Sequence, residues 1–243
     1  MDRRKLPELA IAYVKIGTTL LCTWPLTSGA TNLQRKFNQV KWLSLLLLLC
    51  SLEFSILYTA YLSRANFMEL TRFICFAASS GHAIIKMIVC RWHQQEYREL
   101  IEEMEIFLTY ATCREREVLD VCVRKAAPVH LTFNIIGLVA GISYICGPII
   151  LDQNLPTETV YPFATDHYPA LQIIYLMQSI SVLQCCTVGP LDGQVCMPFW
   201  FNIARLKLLA SDMRKISGVD DLNACIKVHQ DILRSQNLFY FSR

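Results

Sequence analysis

The sequence predicts an all-α fold, a polytopic transmembrane helical bundle of about four spans with both termini cytoplasmic. Three observations predict it. The 243 residues are 53% hydrophobic and only 18% charged, where a soluble domain carries nearer a quarter. The charges are segregated into residues 1–41, 91–125 and 203–243 and nearly vanish between them, as expected when a charge at the bilayer centre costs roughly 2.5–3.5 kcal/mol. Four low-charge stretches are each long enough to cross ~30 Å of hydrocarbon, which takes roughly 20 helical residues.

The elements follow in order. Residues 1–41 form a basic cytoplasmic segment in which Leu9 to Trp24 can lie at the interface as a short helix. Lys15 interrupts its apolar stretch and no small-residue cleavage pattern follows, so it is not read as a signal peptide. Span 1 is 42–62, leucine-rich with the single charge Glu53. Span 2 is 70–91, with Lys86 and a central His82. A cytoplasmic helical segment occupies 92–125, where Leu100, Met104, Phe107/Leu108 and Ala111 recur at helical spacing against Glu99, Glu102, Glu103 and Glu105. Span 3 is 126–151, without an acidic or basic charge except the titratable His130. An extracellular loop, 152–168, leads to span 4 at 169–191. Gly189-Pro190 and Pro198 are expected to kink the chain there. A cytoplasmic helical tail fills 192–243, with Leu222, Ile226, His229 and Ile232/Leu233 in register. The amphipathic stretches read as extensions of the spans, covered by one another or by a neighbouring subunit.

Orientation comes from the basic residues. Twenty of the 23 lysines and arginines fall in the N-terminal segment, the 91–125 segment and the tail, with only Arg64, Arg72 and Lys86 elsewhere. Positive residues collect on the cytoplasmic side, which puts both ends there.

Several functions are excluded by pattern. A net charge of +3, without a basic patch interleaved with aromatics, gives no footprint for nucleic acid. No P-loop, Rossmann fingerprint, G-x-S-x-G or H-E-x-x-H is present, so no enzyme, catalytic residue, metal or cofactor is expected. Of the 11 cysteines, most lie in apolar stretches, where a thiol acts as a small hydrophobe, and none lies in the 152–168 loop. Within the spans, Glu53 lies about eleven residues, roughly 16 Å, from the inner end of its helix, and His82 lies at similar depth. They are candidates for an intramembrane polar pair; the alternative is a Glu53 protonated or bonded to a hydroxyl such as that of Ser51. Lys86 is expected to snorkel, and Asp192 to be solvated or to bond backbone freed by Pro190.

Taken in order along the chain, short fragments resemble the insect odorant receptor family. These are Trp24-Pro25, the loop Leu155-Pro156-Thr157-Glu158-Thr159-Val160-Tyr161-Pro162-Phe163, and Tyr175 to Gln178. Asp192-Gly193, Ala204 to Leu209 and Cys225 to Leu233 follow. The resemblance spans residues 10–234. It implies a seven-helix subunit of an odorant-gated cation channel in the plasma membrane of sensory neurons, working in a heteromeric tetramer with a co-receptor subunit. It also implies a site for small volatile odorants in the outer half of the bundle and a pore built from the last helix. The chain departs from the pattern after Arg234, where three further helices would follow, so a truncated and non-conducting form is expected. Candidate ligand contacts on the outer halves of the spans are Phe73, Phe76 and Ser80 on one face of span 2, Tyr144 and Pro148 on span 3, and Tyr175 and Gln178 on span 4. Ordinary helix packing or lipid contact is the plainer alternative for each. Other readings are a gustatory-type receptor subunit, or a small four-span membrane scaffold.

Overall fold

The computed structural model describes residues 6–240 except Ser28, Asp152, Ala164 and Asp166; the side chains of 235–240 also lie outside the described set. Arg3, Arg4, Lys5 and Arg243, counted in the orientation argument, therefore fall outside it. Eight helices follow in order: α1 (Leu6–Leu20), α2 (Asn32–Leu62), α3 (Phe67–Trp92), α4 (Gln94–Tyr110), α5 (Cys113–Ile150), α6 (Tyr168–Cys186), α7 (Val188–Met213) and α8 (Val219–Tyr240). The described residues contain no strand.

Local signals set the helix starts. Thr31 with Gln34, and Thr112 with Glu115, form reciprocal capping boxes at the heads of α2 and α5, each satisfying backbone donors that the first turn leaves without partners. Asn66 accepts from the Met68 N–H at the head of α3. Four stretches are long and apolar enough to cross a membrane: Asn32–Leu62, Phe67–Trp92, Cys113–Ile150 and Tyr168–Met213. In their most apolar windows no more than a third of the residues are buried inside the chain. The rest, including Leu47, Phe54, Phe133 and Ile136, are exposed, so these surfaces require an apolar surrounding medium.

Two joints interrupt the long helices. A turn at His93 separates α3 from α4, and a turn at Thr187 separates α6 from α7. The second break lies ahead of Gly189-Pro190, one turn earlier than expected. Pro190 has no N–H to give to residue 186, and its ring crowds that carbonyl. The Thr187 N–H donates instead to Leu183 and Gln184 O at 3.2 and 3.1 Å. Helix α5 continues through Pro128 and Pro148, and α7 through Pro198.

Helix α7 is the axis of the bundle and packs against α1, α3, α4, α5, α6 and α8. On one side, Met197, Phe201 and Ala204 meet Ile11 and Val14 of α1, Met104 and Leu108 of α4 and Leu119 of α5. On another, Leu191 joins Leu21, Leu49, Met87, Cys90 and Tyr97. Leu100, Met104 and Leu108 are thus buried, the last two against the chain's own α7. Burial pushes the Tyr97 phenol above its ordinary range. In α8, by contrast, Leu222, Ile226 and Leu233 stay exposed, and Ile232 turns inward.

Two sequence readings are corrected at the α3–α7 contact. Lys86 does not stand alone, and Asp192 is neither simply solvated nor bonded to freed backbone; the two form an ion pair. Their side chains are 20% and 43% exposed, so removing one partner strands a charge that water reaches only in part. We expect Lys86→Met to lower stability by about 1–2 kcal/mol, between the costs of surface and buried pairs. The double variant Lys86→Met/Asp192→Asn should recover most of that loss. Thermal denaturation in detergent measures both; a double variant as unstable as the sum of the singles would mean that the pair contributes nothing.

Candidate functional site

A cavity of about 210 Å³ lies among α2, α3, α5 and α6 at the end of the bundle that carries the 151–167 connection. Each helix supplies its part for a local reason. Helix α3 presents Phe76, Ser79 and Ser80, one turn apart and so on one face. Helix α2 adds Leu52 and Ile56, and α6 adds Val182, Cys185 and Cys186. On α5, Gly137, Ala140 and Gly141 withhold side chains, and Tyr144 follows one turn on. At Gly141 any Cβ would collide with the Cys186 sulfur, so α5 and α6 approach closely there; the Cys186 thiol donates to Gly137 O at 3.1 Å. The Phe76 ring meets Tyr144 edge-on at 5.2 Å between centroids, joining α3 to α5 across the cavity.

The loop folds inward as a roof. Leu155, Thr157 and Thr159 are buried, and Thr157 lines the cavity. Gln178 of α6 holds this roof with its whole amide. Its Oε1 accepts from the Thr157 N–H at 3.2 Å, and its Nε2 donates to Thr159 Oγ1 at 2.9 Å and to Tyr161 Oη at 3.1 Å. From α2, Thr59 Oγ1 accepts the Val160 N–H at 2.8 Å, and Ser55 Oγ donates to Thr159 Oγ1 at 3.2 Å. Arg72 of α3 pairs with Glu158 at 2.7 Å, a residue whose φ of 51° is in the left-handed region. Read from sequence, the loop is a connector; the structure makes it part of the core.

Of the residues named from sequence, Phe76, Ser80 and Tyr144 line the cavity. Phe73 sits behind Phe76 in a cluster with Leu52, Ile56 and Ala60. Gln178 works on the roof rather than in the cavity. Tyr175 donates its hydroxyl to Ile145 O at 2.8 Å, which ties α6 to α5. Pro148 is half-buried in the last turn of α5, outside the lining. The Glu53–His82 pair is not formed. Glu53 accepts from the Ser80 hydroxyl instead, and His82 lies on the exposed side of α3. The reason is register: Ser80 and Gly81 face α2, with Glu53 Oε1 3.7 Å from where a Cβ on Gly81 would be. His82 is rotated a further 100° per residue away. The lining from α2 and α6 is absent from the residues singled out by sequence. One signal that points to it is Gly137-Leu-Val-Ala-Gly141, a small-residue pair four apart that marks close helix approach in membranes.

The cavity is therefore a small apolar chamber with a few hydroxyls and thiols. Ser80, whose hydroxyl donates to Glu53 behind it, stands at one wall, and the hydrogen-bonded loop covers one end. It can enclose a compact apolar molecule carrying one polar group, held mostly by area burial. Gln178→Leu removes three roof bonds at nearly constant volume. Each is worth about 1 kcal/mol, so the backbone N–H of Thr157 should exchange with deuterium on the order of 100-fold faster. Unchanged protection there would show that the amide does not hold the loop.

Known proteins share both the sequence pattern and the fold. The family model described as 7tm Odorant receptor matches residues 66–239. The fold is similar to the solved insect olfactory receptor OR5 from Machilis hrabei in complex with eugenol, with a TM-score of 0.74 and 15% identity. That match covers 96% of this chain and 65% of the other, so the chain spans about two thirds of that protein's length. No curated protein matches.

Proposed function

The chain belongs to the odorant receptor family, matched over residues 66–239, and from that premise we propose that it is a receptor subunit that binds a small volatile odorant in the cavity among α2, α3, α5 and α6. The observation that carries this reading is the apolar cavity of about 210 Å³ beneath the loop, lined by the Phe76 and Tyr144 rings and by Ser80. The related solved receptor holds eugenol, which makes eugenol a reasonable first probe.

Ser80 and Tyr144 orient the ligand in this reading, and the loop held by Gln178 sets access to it. The basic segments face the cytoplasm and the 151–167 loop faces outward, in the plasma membrane of sensory neurons. Conduction of cations follows from association with a co-receptor subunit in a heteromeric tetramer, as the family resemblance implies. The chain supplies four apolar spans, and the resemblance assigns the pore to a later helix.

Two experiments test the proposal. Loss of the Tyr144 ring in Tyr144→Ala should weaken odorant binding about tenfold, since an aromatic edge contact plus its buried area is worth about 1–1.5 kcal/mol. Tyr110→Ala, at a side chain 82% exposed and far from the cavity, should change nothing. Ligand-dependent thermal stabilisation in detergent reads the affinity, and equal affinities in both variants would move the site elsewhere. For orientation, an epitope beside Asn154 should stain on intact cells, and one after Leu6 only after permeabilisation. The reverse pattern would invert the topology. In a cell-based calcium assay with a co-receptor, residues 1–243 expressed as such should give no odorant-evoked signal.

A further inference from the structure

A second cavity, of about 240 Å³, lies between α1, α5 and α7. It shares no lining residue with the first and lies toward the opposite end of α5. We propose that it holds one acyl chain of an anionic phospholipid from the adjacent leaflet.

Four observations lead there. First, its lining is apolar, with Val14, Ala127, Met197 and Trp200 among its walls and no Asp, Glu, Lys or Arg. Its polar edges are limited to Tyr13, His130 and a thiol. Water would find few partners inside, whereas methylene groups lose nothing by entering. Second, the residues at its edge are themselves outward-facing. Leu9, Tyr13 and Leu131 line the cavity yet are 47%, 39% and 50% exposed. They continue into the exposed apolar row Leu9, Tyr13, Ile16 and Leu20 of α1, which has helical spacing. The cavity thus opens sideways onto the surface that meets the hydrocarbon, not into water.

Third, its depth is marked. On α5 the lining runs from Val123 to Leu131, across the point where Arg124 and Lys125 give way to a stretch without acidic or basic residues. That is the level at which headgroups meet acyl chains. Fourth, the charge at that level is available. Arg124 is engaged by Asp120, but Lys125 is exposed and makes no ion pair among the described residues. An ammonium one residue from the lining complements an anionic headgroup, with the attached chain entering beside Ala127. The walls are also fixed. At Gly193 an added Cβ would lie 2.7 Å from Val14 Cγ2, so α1 is seated too tightly to collapse into the space.

The experiment uses the chain in nanodiscs containing phosphatidylserine or phosphatidylcholine with a photoreactive diazirine in one acyl chain, followed by irradiation and mass spectrometry of the peptides. Adducts are expected on peptides containing Tyr13, His130 or Trp200, with phosphatidylserine preferred. Lys125→Gln should reduce that preference about fivefold, the factor for one cation near a membrane surface. Ala127→Leu should reduce adducts from both probes severalfold by filling the space. Lys125→Gln alters only an exposed side chain, so the headgroup test stands even if Ala127→Leu fails to fold. The proposal is overturned by labelling spread evenly over lipid-facing residues such as Phe133 and Ile136. It is equally overturned by equal yields from the two headgroups in the unaltered chain.

Discussion

Most polar side chains of the spans answer to a single constraint: where hydrocarbon replaces water, a polar group finds its partner within the protein, and the buried Gln194 amide, with neither atom hydrogen-bonded, is an exception. The hydroxyls of the spans obey it in the most local way. Thr59 donates to Ser55 O, Ser143 to Val139 O, Ser179 to Tyr175 O and Ser181 to Met177 O, all at i−4. Such bonds cost the helix little and leave an apolar exterior. The groups too long for that solution, Gln178, Gln184, Glu53 and Lys86, reach between elements instead. Gln184 donates to Leu45 O at 3.2 Å, Glu53 takes the Ser80 hydroxyl and Lys86 takes Asp192. Long polar side chains therefore act as the cross-links of the bundle, while the apolar surface gives it no reason to choose one helix pairing over another.

The loop roof is the strongest case. A chain segment with no regular secondary structure carries unpaired backbone donors and is ordinarily kept at the surface. Here Thr157 and Thr159 are buried because α2 and α6 bring two threonine-or-serine side chains and a glutamine to meet them. The cavity beneath exists for the same reason. The roof is held by hydrogen bonds together with the burial of Leu155, and of its side chains only Thr157 lines the space below.

The helices and their medium are legible in the sequence, because charge segregation and apolar length need no knowledge of pairing. Three cavity residues are legible through helical spacing, Phe76, Ser80 and Tyr144, the last still 37% exposed at the cavity's edge. Which residue of one helix faces which residue of another is not. Lys86 and Asp192 are 106 positions apart, and nothing in either neighbourhood names the other. The depth of Glu53 is legible but its partner is not, since depth follows from counting residues whereas facing depends on the rotation of α3. Gln178 stands out as a polar group in a span, yet its amide serves the loop rather than the chamber. The joint at Thr187 lies one turn ahead of its sequence signal because the proline acts on the turn before it.

Both cavities are consequences of how α5 meets α6 and α7. Gly141 lets α5 come close to Cys186 of α6, and Gly189 lets α7 come close to the buried Asn134 of α5, which donates to His130 O at 2.7 Å, while Gly193 seats α7 against Val14 of α1. Straight helices touching at close points must diverge away from them, and the divergence leaves space on either side. One space is lined by α5 residues 137–144 and the other by 123–131, with the Asn134 contact separating them. Enlarging any side chain at this seam would separate α5 from its neighbours and alter both chambers at once. That is the physical reason for glycines at the seam, with bulk confined to its flanks in Phe76, Tyr144 and Trp200.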